Sequence, residues 1–138
     1  MKHGVVIAHG PLGLAFIEAA KSIMGKDDGL FPLSVTDMSI QEIESRLNSL
    51  IREPREDVDG VVIMACLRGG SSWNVSAAVA KDMDRVRLVS GLNLAMLLTF
   101  LLKRDVLPLD ELVDEMIKEA GKGITSLVQE ASETGKIS

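Results

Sequence analysis

The strongest structural signal in the chain is the stretch GVVIMACLRGGSS, residues 60–72. It opens with a short apolar run, Gly60 to Ala65, which is rich in β-branched side chains and typical of a strand buried on both faces of a sheet. The glycine and serine pairs at 69–72 indicate a turn that leads into a helix. We therefore predict a strand over 60–65 and a helix from Trp73 to Lys81, with a serine available as its N-cap.

Short apolar runs of the same kind occur on both sides of this stretch. Two lie upstream, at Val5–Ala8 and Leu30–Val35, and one lies downstream, at Val86–Val89. Each is short enough for a strand and is bounded by glycine, proline or polar residues. The sequence therefore predicts four strands.

Helical signals fill the intervals between these strands and the region after them. Proline at a first helical turn, serine or asparagine as N-cap, and apolar residues at helical spacing predict helices over 11–25, from Ser39 to the residue before Pro54, over 93–102, and from about Asp110 onward. The apolar faces of the first and last of these helices are predicted to consist of Leu12, Phe16, Ala19, Ala20 and Ile23, and of Leu112, Met116, Ala120, Ile124 and Leu127.

Strands that alternate with helices form βαβ units, in which the strands pair in parallel through right-handed crossovers. We therefore predict an α/β fold: an open, doubly wound parallel sheet with strand order 2-1-3-4 and helices on both faces. Ligands bind such sheets beyond the carboxyl ends of the strands, where the strand order reverses. Here that point lies between the first and third strands, so the loops at 9–11 and 66–72 are expected to lie side by side.

These two loops contain residues suited to phosphate chemistry. The second loop offers a cation, two glycines that let backbone N–H groups approach an anion, and two hydroxyls at the start of a helix, namely Arg68, Gly69, Gly70, Ser71 and Ser72. A histidine that faces such a loop could attack a phosphoryl group through a ring nitrogen, because much of it is neutral at cytosolic pH. His9 is therefore the candidate nucleophile.

Composition argues against several classes of function. A net charge of −5 and a pI near 5.0 disfavour nucleic acid as a partner. No apolar stretch approaches the roughly 20 residues of a membrane span, and the apolar run at the start is too short for a signal peptide, so we expect a cytoplasmic protein. Cys66 is the only cysteine, which excludes an internal disulfide and a zinc-ligand cluster. We expect no metal or cofactor, and one domain over 1–138.

Three motifs follow one another along the chain: AHG at 8–10, GGSSWN at 69–74 and GLNLAML at 91–97. Each motif is weak alone, but the three in this order and spacing resemble the IIA components (EIIA) of the mannose class of the bacterial sugar phosphotransferase system (PTS). The resemblance covers nearly the whole chain. It identifies the chain as a candidate mannose-type EIIA domain.

The resemblance implies a phosphoryl carrier that accepts phosphate from the protein HPr on His9 and passes it to a IIB component. It also implies a homodimer, in which an extra edge strand can be contributed across the dimer, and it implies no cofactor. The identity of the sugar does not follow, because the sugar contacts the membrane subunits of this system.

The sequence departs from the family pattern at three positions. The family has an aspartate at the end of the third strand that orients the histidine ring, and Cys66, a weak hydrogen-bonding partner, occupies that orienting position. Arg68 replaces an aromatic residue and could bind phosphoryl oxygens directly. Ser72 replaces a proline. These departures leave open a second interpretation: a non-catalytic regulatory or partner-binding module that keeps the EIIA fold.

Other interpretations of single residues also stay open. His9 could be an inert histidine at a strand end, Arg68 a solvated surface residue, and the pocket a site for a free small anion. Cys66 is expected to be packed and unreactive. His3 is expected to be exposed.

Overall fold

The structure, a computed structural model, describes residues 1–52 and 57–128. Strands and helices alternate through the first eight elements, and a final helix follows. In chain order the elements are β1 (Lys2–Ala8), α1 (Leu12–Met24), β2 (Leu30–Ser34), α2 (Ile40–Arg52), β3 (Gly60–Ala65), α3 (Gly70–Ala80), β4 (Val86–Val89), α4 (Leu94–Lys103) and α5 (Leu109–Lys122). The end of α2 was predicted before Pro54, which lies outside the described residues.

The four strands form one parallel sheet in the order β2-β1-β3-β4, which confirms the predicted fold. β1 lies between β2 and β3, with Ala8 in register with Ser34 and Ile7 in register with Ala65. The chain leaves β1 toward one edge of the sheet and leaves β3 toward the other. The carboxyl ends of these two neighbouring strands therefore border the point where the strand order reverses.

Helices cover both faces of this sheet, as predicted. The side chains of Val6, Val62 and Met64 face α1, α4 and α5 in one core cluster. Their neighbours Val5 and Ile63 point the other way, into a second cluster with residues of α2 and α3. Because both faces are covered, the central strands carry continuous apolar runs without polar alternation.

Several local predictions are confirmed in detail. β3 and β4 have the predicted bounds. The backbone N–H of Met96 donates to Asn93 Oδ1 at 2.9 Å, so Asn93 caps α4. The backbone N–H of Glu42 donates to Ser39 Oγ at 3.1 Å, which caps α2 in the same way.

Within the described ranges, the structure contains no helix with the length and apolar character of a membrane span.

The start of β1 differs from the prediction. The strand begins at Lys2 rather than Val5, and His3 is buried, so the expectation that His3 is exposed was wrong. Lys2 Nζ donates to Asp59 Oδ2 at 3.2 Å and to the Arg104 carbonyl at 3.1 Å, while the ring of His3 lies 5.3 Å from that of Phe31. These distant partners let two polar side chains enter the interior.

The buried face of α1 also differs from the prediction. Leu12 and Ile23 are 44% and 58% exposed, whereas Gly13, Ile17 and Ala20 are buried. A Cβ on Gly13 would lie 3.0 Å from the Val6 carbonyl oxygen, so α1 approaches β1 through this glycine. The prediction is confirmed for Ala20 and for Phe16, which packs against the core, and it was wrong for Leu12 and Ile23. It missed Gly13 because the spacing of large apolar residues gives no weight to glycine as a contact surface.

The ends of two other helices are corrected as well. α3 begins at Gly70 with Gly69 as its N-cap residue, so Ser72 lies inside the helix, and among the described residues no side chain caps it. α5 ends at Lys122, and Ile124 and Leu127 are exposed beyond it, although both were assigned to its buried face. The other three residues of that predicted face, Leu112, Met116 and Ala120, are buried.

The close approach of α1 to β1 makes a testable prediction about two helical glycines. Gly13→Ala should lower the free energy of unfolding by about 1–3 kcal/mol, because the added methyl group must push β1 and α1 apart. A Cβ on Gly121 in α5 meets no atom within 4 Å, so Gly121→Ala should raise that free energy by about 0.5 kcal/mol through helix propensity. Urea unfolding followed by circular dichroism measures both. Equal effects of the two substitutions would contradict the close approach.

Candidate functional site

An open cleft of about 440 Å³ lies at the carboxyl ends of β1 and β3. It occupies the point of strand-order reversal, where a doubly wound sheet binds its ligands. Two segments line it: on the β1 side Ile7, Ala8, His9 and Leu12, and on the β3 side Cys66, Leu67, Gly69, Gly70 and Ser72. The two loops singled out in the sequence therefore meet in one cleft.

His9 directly follows β1, and its side chain is exposed at the cleft. Gly10 takes a left-handed conformation with φ of 57°, which favours glycine and turns the chain sharply toward α1. Within residues 1–52 and 57–128, no side chain forms a hydrogen bond with the imidazole ring of His9. The ring nitrogens are therefore free to meet a reactant from solution.

The backbone on both sides of His9 is held by the turn that follows β2. The carbonyl oxygen of Ala8 accepts a hydrogen bond from the Val35 N–H at 3.0 Å, and the Gly10 N–H donates to Thr36 Oγ1 at 2.6 Å. Thr36 was not among the residues predicted for the site. The available signal was the strand order, since β2 beside β1 brings the end of β2 next to His9.

The glycine pair after β3 forms the turn on the side of the cleft opposite His9. Gly69 and Gly70 have φ of 91° and 80°, and a Cβ on either would meet no atom within 4 Å. Glycine is therefore needed at both positions for backbone conformation rather than for space. The pair leads into the 11-residue helix α3, whose first N–H groups have no side-chain cap in the part of the chain that the structure describes. Free N–H groups at a helix N-terminus suit an anion.

The three polar residues predicted for this loop have different surroundings. Ser72 lines the cleft and is only 9% exposed. Ser71 is exposed and lines an adjoining groove between α2 and α3, together with Glu44 and Asn74. Arg68 is exposed and is not among the residues that line the cleft. The structure thus brings Ser72 to His9's cleft and leaves Ser71 and Arg68 at its margin.

Cys66 lies in the cleft at the end of β3, half-buried against the core cluster of α1, α4 and α5. Burial raises the pKa of the Cys66 thiol above its ordinary value of 9.0. The thiol is therefore neutral near pH 7. It supplies neither the charge nor the strong acceptor that a carboxylate would offer to the imidazole.

The fold and the cleft define a class of protein: an α/β protein with an exposed histidine beside a glycine turn and a helix N-terminus at the strand-order reversal. The family model for the PTS system fructose IIA component matches residues 4–117. The chain therefore belongs to the family of PTS EIIA components.

Individual relatives agree with this membership. The chain is 26% identical over 116 residues to the sorbose-specific EIIA component of Klebsiella pneumoniae, covering 84% of each protein. It is 23% identical over 113 residues to the fructose-specific EIIA component of Bacillus subtilis, covering 81% of this chain and 77% of that protein. The crystal structure of an EIIA component from Streptococcus agalactiae superposes with a TM-score of 0.84 at 25% identity, over 93% of this chain and 98% of that one.

The burial of Cys66 makes a prediction about thiol reactivity. Thiolate is the nucleophile in alkylation, so a raised pKa leaves less of it at neutral pH. Iodoacetamide should modify folded Cys66 more slowly than the same residue in urea-unfolded chain, and the rate should rise with pH to a midpoint above 9.0. Mass spectrometry of quenched samples measures both rates. A midpoint at or below that of the unfolded chain would contradict the buried, neutral thiol.

Proposed function

We propose that this protein is a phosphoryl carrier of a sugar phosphotransferase system. His9 accepts a phosphoryl group from HPr and passes it to a IIB component. The observation that carries the proposal is the exposed imidazole of His9, which no side chain of the described residues bonds, in the same cleft as the Gly69-Gly70 turn and the N-terminus of α3. A carrier needs such exposure, because its nucleophile must reach two partner proteins in turn.

In the proposed transfer, a neutral ring nitrogen of His9 attacks phosphorus and forms a P–N bond. The bond between phosphorus and the donor atom breaks, and the donor atom keeps the electron pair. The phosphoryl oxygens lie against the first N–H groups of α3 and the hydroxyl of Ser72, which stabilise their negative charge. The reverse sequence with a IIB acceptor returns His9 to its starting state.

The margin of the cleft suits contact with a partner protein. Leu12 and Leu67 line the cleft and are 44% and 72% exposed. Apolar side chains placed around a polar reactive centre gain free energy when a partner excludes water from them. Arg68, exposed beside them, can pair with phosphoryl oxygens once a donor has docked.

Cys66 weakens this carrier relative to one with an aspartate. A carboxylate in that position fixes the tautomer of a histidine and stabilises the imidazolium, whereas the neutral thiol does neither. Exposed Arg68 compensates only in part, because it acts on the phosphoryl oxygens and not on the ring. We therefore expect transfer that is slow by the standard of a histidine with a carboxylate partner.

We also propose that the protein acts as a homodimer. β4 has one neighbour in the sheet of the described residues, β3, so its other edge is available for an additional strand. A strand contributed by a second copy at this edge would satisfy those backbone groups.

Substitution at Cys66 tests the proposed transfer. Cys66→Asp should raise the rate at which phosphorylated HPr labels the protein by about 10² or more, given what such carboxylates contribute in other enzymes. Cys66→Asn, which has the shape of aspartate without its charge, is the matched control and should stay near the wild-type rate. His9→Gln should abolish labelling. Quenched-flow assays with phosphorus-labelled HPr give these rates.

One outcome would favour the alternative of a non-catalytic module. If neither the wild type nor Cys66→Asp accepts phosphate from HPr, while circular dichroism shows both to be folded, His9 is not a carrier. The cleft would then be a binding site that keeps the fold of the family without its transfer chemistry.

A further inference from the structure

The turn between β2 and α2 holds the chain on both sides of His9. Val35 donates its N–H to the carbonyl of Ala8, the residue before His9, at 3.0 Å. Thr36, the next residue, accepts the N–H of Gly10, the residue after His9, through its side-chain Oγ1 at 2.6 Å. The nucleophile therefore sits in a three-residue span whose two ends are tied to consecutive residues of one turn.

These two hydrogen bonds differ in whether they require a particular side chain. The Val35 bond joins two backbone groups and extends the pairing of β1 with β2, so almost any residue could form it. The Thr36 bond requires a side-chain acceptor of the right length. Gly10, at φ of 57°, is the most easily reoriented residue of the span, and Thr36 holds its peptide group.

Two hydrogen bonds within the turn between β2 and α2 stabilise its conformation. The N–H of Met38 donates to the carbonyl of Val35 at 3.3 Å, and the N–H of Thr36 donates to Ser34 Oγ at 3.4 Å. Asp37 has φ of 59°, the only positive φ at a non-glycine residue within the described ranges. A left-handed aspartate costs free energy and persists only where its surroundings determine the conformation. The turn therefore presents the Thr36 hydroxyl from a fixed position.

The backbone beside His9 has a larger influence on the direction of the imidazole ring here than in a site where a carboxylate holds the ring. Cys66 supplies no such anchor, and no side chain of the described residues bonds the His9 imidazole. The direction of the ring is then set by its own rotamer and by the peptide groups on either side. Of those peptide groups, the His9–Gly10 unit is the one that a side chain fixes.

We propose that Thr36 is a positioning residue for His9, which directs the imidazole toward the Gly69-Gly70 loop through its hydrogen bond to the Gly10 N–H. The consequence for transfer rests on the proposed carrier function, whereas the orientation of the ring does not. Without the Thr36 bond, the weaker 3.4 Å bond from the Leu12 N–H to the His9 carbonyl is left to hold the His9–Gly10 peptide, and the ring should sample unproductive directions. Misplacement of a reacting group by about 1 Å can slow a reaction by up to roughly 10².

The experiment compares Thr36→Val, which keeps the shape and removes the acceptor, with Thr36→Ser, which keeps the acceptor. Thr36→Val should slow labelling by phosphorylated HPr roughly tenfold, which is less than the largest effect of a misplaced reacting group. Thr36→Ser should be labelled at the wild-type rate. Thr125→Val, at an exposed position after α5, is the control and should leave the rate unchanged.

Combination with Cys66→Asp separates positioning from a general structural effect. With a carboxylate to hold the ring, Thr36→Val should cost less than it does in the wild type, so the two substitutions should not be additive. Equal slowing in both backgrounds would overturn the proposal, because it would show that Thr36 does not act through the orientation of His9.

Nuclear magnetic resonance tests the same proposal without phosphate transfer. In Thr36→Val, exchange of the Gly10 amide proton should accelerate and the χ1 coupling constants of His9 should average, while Thr36→Ser and Thr125→Val keep the wild-type values. An unchanged Gly10 amide and His9 rotamer in Thr36→Val would overturn the proposal. If the wild type accepts no phosphate but these signals change as expected, the carrier function fails and the positioning role of Thr36 stands.

Discussion

The parallel pairing of β1 between β2 and β3 is the constraint on which the site depends. β1 is buried along its whole length. His9 is the first residue beyond its carboxyl end and is exposed there, outside the sheet. Pairing with β3 brings the Gly69-Gly70 turn to the same carboxyl end of the sheet, and pairing with β2 brings Thr36 there. Three loops that are distant in sequence become one site because three strands are neighbours.

Signals that act locally allowed much of this arrangement to be predicted from the sequence. The apolar run of β3 and the cap formed by Asn93 are read correctly because each depends on residues close in the chain. Alternation of strands and helices then restricts the topology, and the strand order places the loops after β1 and β3 together. The meeting of His9 and the glycine pair in one cleft could therefore be predicted, and their chemical roles are proposals.

Features that depend on contacts between distant segments were missed. The burial of His3 depends on neighbours such as Phe31, and the true face of α1 depends on the fit of Gly13 against β1. The start of α3 at Gly70 follows from backbone angles that a search for serine caps does not consider. Thr36 was missed because its role exists only after β2 has paired with β1. Such features require the folded neighbours and not only the local pattern.

The proposed carrier function requires that His9 itself takes the phosphoryl group despite the thiol at position 66. Phosphorus-31 magnetic resonance of the protein after incubation with phosphorylated HPr measures this step. If His9 is the carrier, the wild type should show a phosphoramidate resonance that is absent from His9→Gln, and a phosphorylated peptide that contains His9. Failure to detect bound phosphorus on the wild type, or the same resonance on His9→Gln, would contradict it.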